Sequence, residues 1–362
     1  MTEKDFIFNP SIAIEPLTNG SVSWQSPSNI ALIKYWGKTE PQIPKNPSLS
    51  FTLSNCHTTT RLDYRLKDRL SSSYDFKVFF EGIENQEFKP KIHSFFKRIE
   101  AYVPFLSAYE FEIHTQNSFP HSSGIASSAS GMSALALCLM SIEKKINPEI
   151  SADHFLKKAS FMARLGSGSA ARSIEGPLVV WGTHPQITGS NNNYGIKYPF
   201  DCHPVFESYQ DTILLVDRGV KQVSSSMGHH LMKGHPFAEA RFKQARDNMT
   251  RLITVLKEGD LDAFIDIVER EALSLHAMMM SSDPYFILMK PNTLEIIERI
   301  WDFRKKSKIP VCFTLDAGAN VHVLYPENDK AAVNSFITGE LIGFCEKKQY
   351  IYDKAGDGAL LL

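Results

Sequence analysis

The chain has 362 residues, room for two domains of ordinary size, and its 43% hydrophobic and 22% charged content is that of a globular protein with a sizeable core. Lys and Arg (39) balance Asp and Glu (40), so no basic field marks a nucleic-acid binder and any anion site must be local. Five widely spaced cysteines (Cys56, Cys138, Cys202, Cys312 and Cys345) lack a C-x-x-C pair, no leader pattern is evident, and no apolar run nears ~20 residues, which points to a cytosolic protein with free thiols.

Residues 1–19 precede the first clear pattern and read as an arm or edge strand. Alternation of apolar and polar residues predicts strands at 21–24, 58–66, 76–81 and 109–116. A helix over 90–102 carries Pro90 in its first turn, where a missing N–H costs nothing. A Gly/Ser-rich loop at 120–131 opens into a helix to about 145, and a further helix over 153–165 precedes an apolar strand at 178–181. The polar stretch 191–202 is the best boundary, giving domains over 1–205 and 206–362.

Beyond it lies a strand at 212–216, then a helix with Phe242, Ala245, Met249, Leu252, Ile253 and Leu256 on one face. Helices follow at 261–277 and from the N-cap Asn292, with Glu295 at the capping-box position, to about 306. Strands at 311–315 and 321–324 and a helix over 330–347 close the chain. Interleaving without βαβ repetition predicts an α+β fold. Trp24, Trp181 and Trp301 are expected in the core, and Met278, Met279 and Met280 in core or subunit packing.

Four stretches carry chemistry. Pro120-His121-Ser122-Ser123-Gly124-Ile125-Ala126-Ser127-Ser128 sets hydroxyls and backbone N–H groups at the positive end of a helix, a setting for phosphate. It lacks the Gly-Lys-Ser/Thr of a Walker A loop, and an ordinary capped helix start has the same look. The apolar residues Ile30, Ala31, Leu32 and Ile33 read as a buried strand whose end delivers Lys34, Tyr35 and Lys38 to one turn, able to surround an anion or simply to be solvated. The turn 166–173 carries Ser167, Ser169 and Arg172, the last suited to bidentate contact with carboxylate or phosphate, or a surface arginine after a helix cap. Asp316 follows an apolar strand and precedes a Gly turn, the place of a catalytic carboxylate or of an Asx-turn.

Taken in order, Asn29-Ile30-Ala31, Lys34-Tyr35-Trp36-Gly37-Lys38, Asn46-Pro47-Ser48-Leu49-Ser50, Ala126-Ser127-Ser128-Ala129, Gly166-Ser167-Gly168-Ser169-Ala170-Ala171-Arg172-Ser173, His276-Ala277 and Asp316-Ala317-Gly318 closely resemble the diphosphomevalonate decarboxylase family of the GHMP kinase superfamily. The resemblance implies a two-domain α+β GHMP fold, its first half like the second domain of ribosomal protein S5 and its second half ferredoxin-like. It implies ATP- and Mg2+-dependent conversion of (R)-5-diphosphomevalonate to isopentenyl diphosphate, ADP, phosphate and CO2, in a homodimer that engages neither nucleic acid nor membrane.

The same resemblance assigns roles. Asp316 orients the tertiary 3-hydroxyl and takes its proton, Lys34 keeps that carboxylate ionised, and Arg172 holds the substrate carboxylate. Tyr35, Lys38, Ser167 and Ser169 bind the diphosphate end or adjoining oxygens. Ser122, Ser123, Gly124, Ala126, Ser127 and Ser128 grip the ATP phosphates, with Ser128 on the γ-phosphate and toward Mg2+. The chain departs from the family at Ala171, Ala319 and the polar loop around His121, and carries Ser226 where some members place a diphosphate-binding arginine. His229, His230 and His235 have no Cys or carboxylate at ligand spacing and are not read as a metal site. A monophosphate-specific decarboxylase, a mevalonate-type kinase and a non-enzymatic nucleotide sensor remain as other readings.

Overall fold

A computed structural model describes residues 1–8, 17–69, 73–120, 125–217, 219 and 225–362. The start of the expected arm is a short 3-10 turn, Glu3–Phe6, that buries Phe6; residues 9–16 lie outside the described set. The first half contains β1 (Asn19–Ile33), β2 (Lys38–Thr39), β3 (Ile43–Pro44), β4 (Ser48–Leu66), β5 (Asp75–Phe80), β6 (Ile83–Glu84), α1 (Lys89–Ile99), β7 (Tyr109–Asn117), α2 (Ser127–Ile146), α3 (Ala152–Gly166), β8 (Leu178–Trp181) and β9 (Ile196–Lys197). The second contains β10 (Gln210–Leu214), α4 (Ser225–Leu231), α5 (Ala238–Glu258), α6 (Leu261–Met280), α7 (Pro291–Ser307), β11 (Cys312–Thr314), β12 (Val321–Tyr325), α8 (Lys330–Phe336), β13 (Tyr350–Lys354) and β14 (Leu360–Leu361).

Among the described residues the first sheet runs β14-β1-β4-β7-β5-β6, with β8 also on β4 and β9 on β8, and the second runs β11-β12-β10-β13. Among the described strands only β5 and β7 pair in parallel. The expected strand at 21–24 and the apolar end at 30–33 are one continuous β1, because Pro27 is absorbed at an irregularity where the register with β4 shifts. From Ser26 to Ile33 every residue of β1 is buried, so both faces are covered and the strand end opens into the interior.

Three expectations are corrected. The N-cap of α7 is Lys290, since Pro291 takes the first helical position; Asn292 lies inside the helix and donates to the Phe344 carbonyl at 3.0 Å. The helix expected over 330–347 is α-helical only through Phe336, then loosens into a π-turn at Ile337–Leu341, which contains Gly339, and 3-10 turns at Ile342–Phe344, around Gly343, and Glu346–Lys348. Trp301 is 40% exposed and gives its indole N–H to Glu269 at 2.8 Å, whereas Trp181 is fully buried. Met278 and Met279 are buried, and Met280 faces outward.

The halves share one apolar layer: Ile30, Leu49 and Phe51 pack with Ile213, Leu252 and Phe264. The tail stitches them again. Asp353 on β13 accepts the backbone N–H groups of Asn55 and Cys56, each at 2.8 Å. Ala355 bridges Leu53, Gly356 donates to the Thr52 carbonyl at 2.9 Å, and β14 adds an edge strand to β1.

Candidate active site

The end of β1 and the turn after β11 meet. Lys34 is 1% exposed, and its Nζ lies 3.0 Å from Asp316 Oδ1 across 282 positions of chain. Burial lowers the Lys34 pKa while the Asp316 charge opposes the shift. Lys34 is held from behind: its backbone N–H donates to Glu271 Oε2 at 2.9 Å, and its carbonyl accepts from Asn46 Nδ2 at 2.9 Å. Glu271, on α6 and fully buried, also binds Arg241 through both oxygens and accepts from Asn248 at 2.7 Å. His276 sits 3.1 Å from the Asp316 carbonyl through Nε2. Burial holds its pKa down to about 4, so as a neutral Nε2–H donor it fixes the turn that carries the carboxylate.

Arg172 closes the other side. It is 3% exposed, bonded to Ser48 Oγ and Asn29 Oδ1, and stacked 5.8 Å over Trp181; burial brings its pKa to about 10. Tyr35 packs edge-on to Trp181 at 4.6 Å, and its buried hydroxyl has no hydrogen-bond partner among the described residues. Gly168 is what admits that ring, since a Cβ there would stand 2.7 Å from the Tyr35 hydroxyl. Lys38 binds Gln42 Oε1 at 2.7 Å.

A cavity of ≈ 530 Å³ joins these groups. Lys34, Tyr35, Lys38, Ser167, Ser169, Arg172 and Asp316 line it together with Ala126, Ser127 and Ser128 at the start of α2. The expected Ser122, Ser123 and Gly124 lie outside the described residues. Every other site residue expected from the sequence faces this one space.

Sequence reasoning missed several groups. Lys91 on α1 reaches Ser128 Oγ at 2.6 Å, and Phe80, Phe88, Ile92 and Ile113 add apolar lining to the same cavity. A lone lysine on an amphipathic helix gives no signal of this. Arg241 and Glu271 had one: each is a charge on the buried stripe of its helix. His229, set aside as a metal ligand, also lines the cavity.

Two family models cover most of the chain: a diphosphomevalonate decarboxylase-like N-terminal domain over residues 26–192 and a mevalonate 5-diphosphate decarboxylase C-terminal domain over 212–357. The diphosphomevalonate decarboxylase of Ganoderma lucidum is 30% identical over 319 residues, 83% of this chain and 77% of that protein. The chain belongs to the diphosphomevalonate decarboxylase family. A phosphomevalonate decarboxylase from Haloferax volcanii is 26% identical over 81% of this chain and 84% of its own length. Among solved structures, MDDEF in complex with MVAPP, AMPPCP and magnesium superposes with a TM-score of 0.81 at 27% identity, covering 95% of this chain and 99% of that one. A structure of the mevalonate diphosphate decarboxylase from Enterococcus faecalis gives 0.80 at 26%, over 95% and 99%. The two-domain α+β fold is thus the family's fold.

Proposed function

We infer that this chain is an ATP-dependent decarboxylase of the mevalonate pathway, acting on (R)-5-diphosphomevalonate. The observation that carries the reading is the 3.0 Å pair of Lys34 and Asp316 in the same cavity as Arg172 and the start of α2. The cavity suits a nucleotide: it combines apolar lining from Phe80, Phe88, Ile92 and Ile113 with the Lys91–Ser128 pair and the acid and base. The lining also fits Mg2+, which keeps several waters and needs few protein ligands beside phosphates. Ser128 would hold it; the ion supplies neutralisation of phosphate charge.

Asp316 accepts the proton of the tertiary 3-hydroxyl as that oxygen bonds to the transferred phosphorus and the bond to ADP breaks. The Lys34 ammonium keeps Asp316 ionised and offsets charge on the transferring group. In the second stage the C3–O bond breaks with phosphate leaving, and the electron pair of the C–carboxylate bond forms the alkene as CO2 departs. Arg172, fixed by Ser48 and Asn29, orients that carboxylate. Tyr35, Lys38, Ser167 and Ser169 take the diphosphate end, a role supported by the unpartnered Tyr35 hydroxyl.

The reading is tested by incubation with ATP, Mg2+ and each of mevalonate, 5-phosphomevalonate and 5-diphosphomevalonate, following ADP and CO2 separately. ADP and CO2 from the diphosphate support it; CO2 only from the monophosphate moves the substrate, ADP without CO2 makes a kinase, and neither makes a sensor. Arg172→Ala is expected to cut kcat/KM about 100- to 1,000-fold, because a buried hydrogen-bonded charge is lost. Arg172→Lys does not rescue it, since the planar fork is gone; unchanged kinetics in the Ala variant remove Arg172 from the site. Lys91→Met is expected to raise the KM for ATP about tenfold with the KM for diphosphomevalonate unmoved; an unmoved ATP KM refutes the contact.

The same reading places the division between domains at residue 205/206, supported by the gap between the family matches at 192 and 212. It also makes the protein cytosolic and homodimeric. The five cysteines are free, and among the described residues no helix is long and apolar enough to cross a membrane. Tyr285 (78% exposed) and Ile287 (62%) support a covered apolar face. Light scattering of the purified protein measures the mass that decides this.

A further inference from the structure

His229 is 9% exposed and stands where two hollows meet. One is the cavity with Lys34 and Asp316; the other, lined by Lys38, Lys45, Arg98 and Lys233, opens beside it. Its ring is clamped between Tyr35 at 4.2 Å and Trp36 at 4.7 Å. Its Nδ1 accepts the backbone N–H of Gly37 at 2.9 Å. Gly37 adopts φ +91°, which swings that N–H onto the imidazole and leaves Lys38 beside it.

An imidazole nitrogen that accepts a hydrogen bond carries no proton, so the proton of the neutral ring must sit on Nε2. Nε2 has no hydrogen-bond partner among the described residues, and the ring lines the cavity. The tautomer is thus set by the backbone, and the free N–H donor is presented to the site. Burial, then the Lys38 and Arg172 charges, hold the pKa down to about 3, which keeps the ring neutral at working pH.

We propose that His229 is a substrate-binding residue that donates Nε2–H to the outer phosphate of the diphosphate end, between Lys38 and the Tyr35 hydroxyl. The assignment to that end rests on the function proposed above. A neutral donor adds direction where Lys38 adds charge, and a contact to the diphosphate end is made with that substrate and not with ATP. The role therefore concerns affinity for the phosphorylated substrate rather than the phosphoryl transfer.

The test separates the two nitrogens. Asn places its amide near the Nδ1 position and keeps an acceptor for Gly37; Gln reaches the Nε2 position and keeps a donor toward the site. Dissociation constants are measured by calorimetry, without turnover, for 5-diphosphomevalonate, 5-phosphomevalonate and ATP with Mg2+. His229→Asn is expected to weaken diphosphomevalonate about tenfold, the monophosphate less, and ATP not at all; His229→Gln recovers most of the loss. Equal weakening in both variants, unchanged binding in the Asn variant, or an equal loss for ATP each overturns the proposal. In the wild-type protein, 15N spectra of the imidazole are expected to show Nε2 protonated and Nδ1 bare, with the Nε2 resonance shifting on adding diphosphomevalonate; the opposite tautomer, or no shift, rejects it without any variant. If diphosphomevalonate binds yet yields no CO2 with ATP, the function fails while His229 is still tested by binding.

Discussion

Asp316→Asn is expected to lower kcat by about 10³- to 10⁴-fold while ATP still binds, the range for losing a positioned general base. Asn is nearly isosteric and keeps an oxygen for the Lys34 ammonium, so the pocket shape survives. Two things go: the acceptor for the 3-hydroxyl proton, and the counter-charge that sustains the buried Lys34 ammonium against desolvation. Single-turnover release of ADP measures the phosphoryl step directly, and calorimetry with ATP measures what is kept. Turnover within tenfold of the parent would strip Asp316 of its role. A variant that releases ADP but no CO2 would assign it to the elimination instead.

The second large effect falls on stability. Glu271→Ala is expected to destabilise the protein by about 3–5 kcal/mol, read from the shift of the urea unfolding midpoint, because it strands a buried charge. The stranded group is Arg241, 3% exposed, which loses both of its Glu271 oxygens, while Asn248 and the Lys34 backbone N–H lose their acceptor. Glu271→Gln keeps an oxygen for the Lys34 N–H and is expected to cost less. The Ala variant unfolding at the parent's midpoint would mean that the network carries no weight. Residual folded Ala protein is also expected to turn over slowly, since the strand end that aims Lys34 has lost its backstop.

Much of the site was readable because its residues come in compact strings. A run such as Lys34-Tyr35-Trp36-Gly37-Lys38 fixes its own local geometry: an apolar strand enters, and a glycine at positive φ turns the chain. Groups reaching the cavity from amphipathic helices left no such trace, as Lys91 shows. His229 was legible as a residue but not as a site member, since only tertiary packing brings it onto Tyr35 and Gly37. The same split holds for the fold. Amphipathic helices such as α5 declared themselves, whereas β1 looked like two short strands until Pro27 proved to sit at a register shift. Likewise α7 begins at a proline rather than at the better capping residue, because φ preference outweighed the side-chain cap.

The strap made by the last ten residues bears on how the enzyme encloses its substrates. Lys34 rides on one sheet and Asp316 on the other, and their separation is set where Asp353 grips Asn55 and Cys56 and Ala355 meets Leu53. A clamshell swing of the halves would tear that seam. The two sheets are therefore held in one frame, and the 3.0 Å approach of Lys34 to Asp316 is built into the folded chain rather than assembled when substrate arrives.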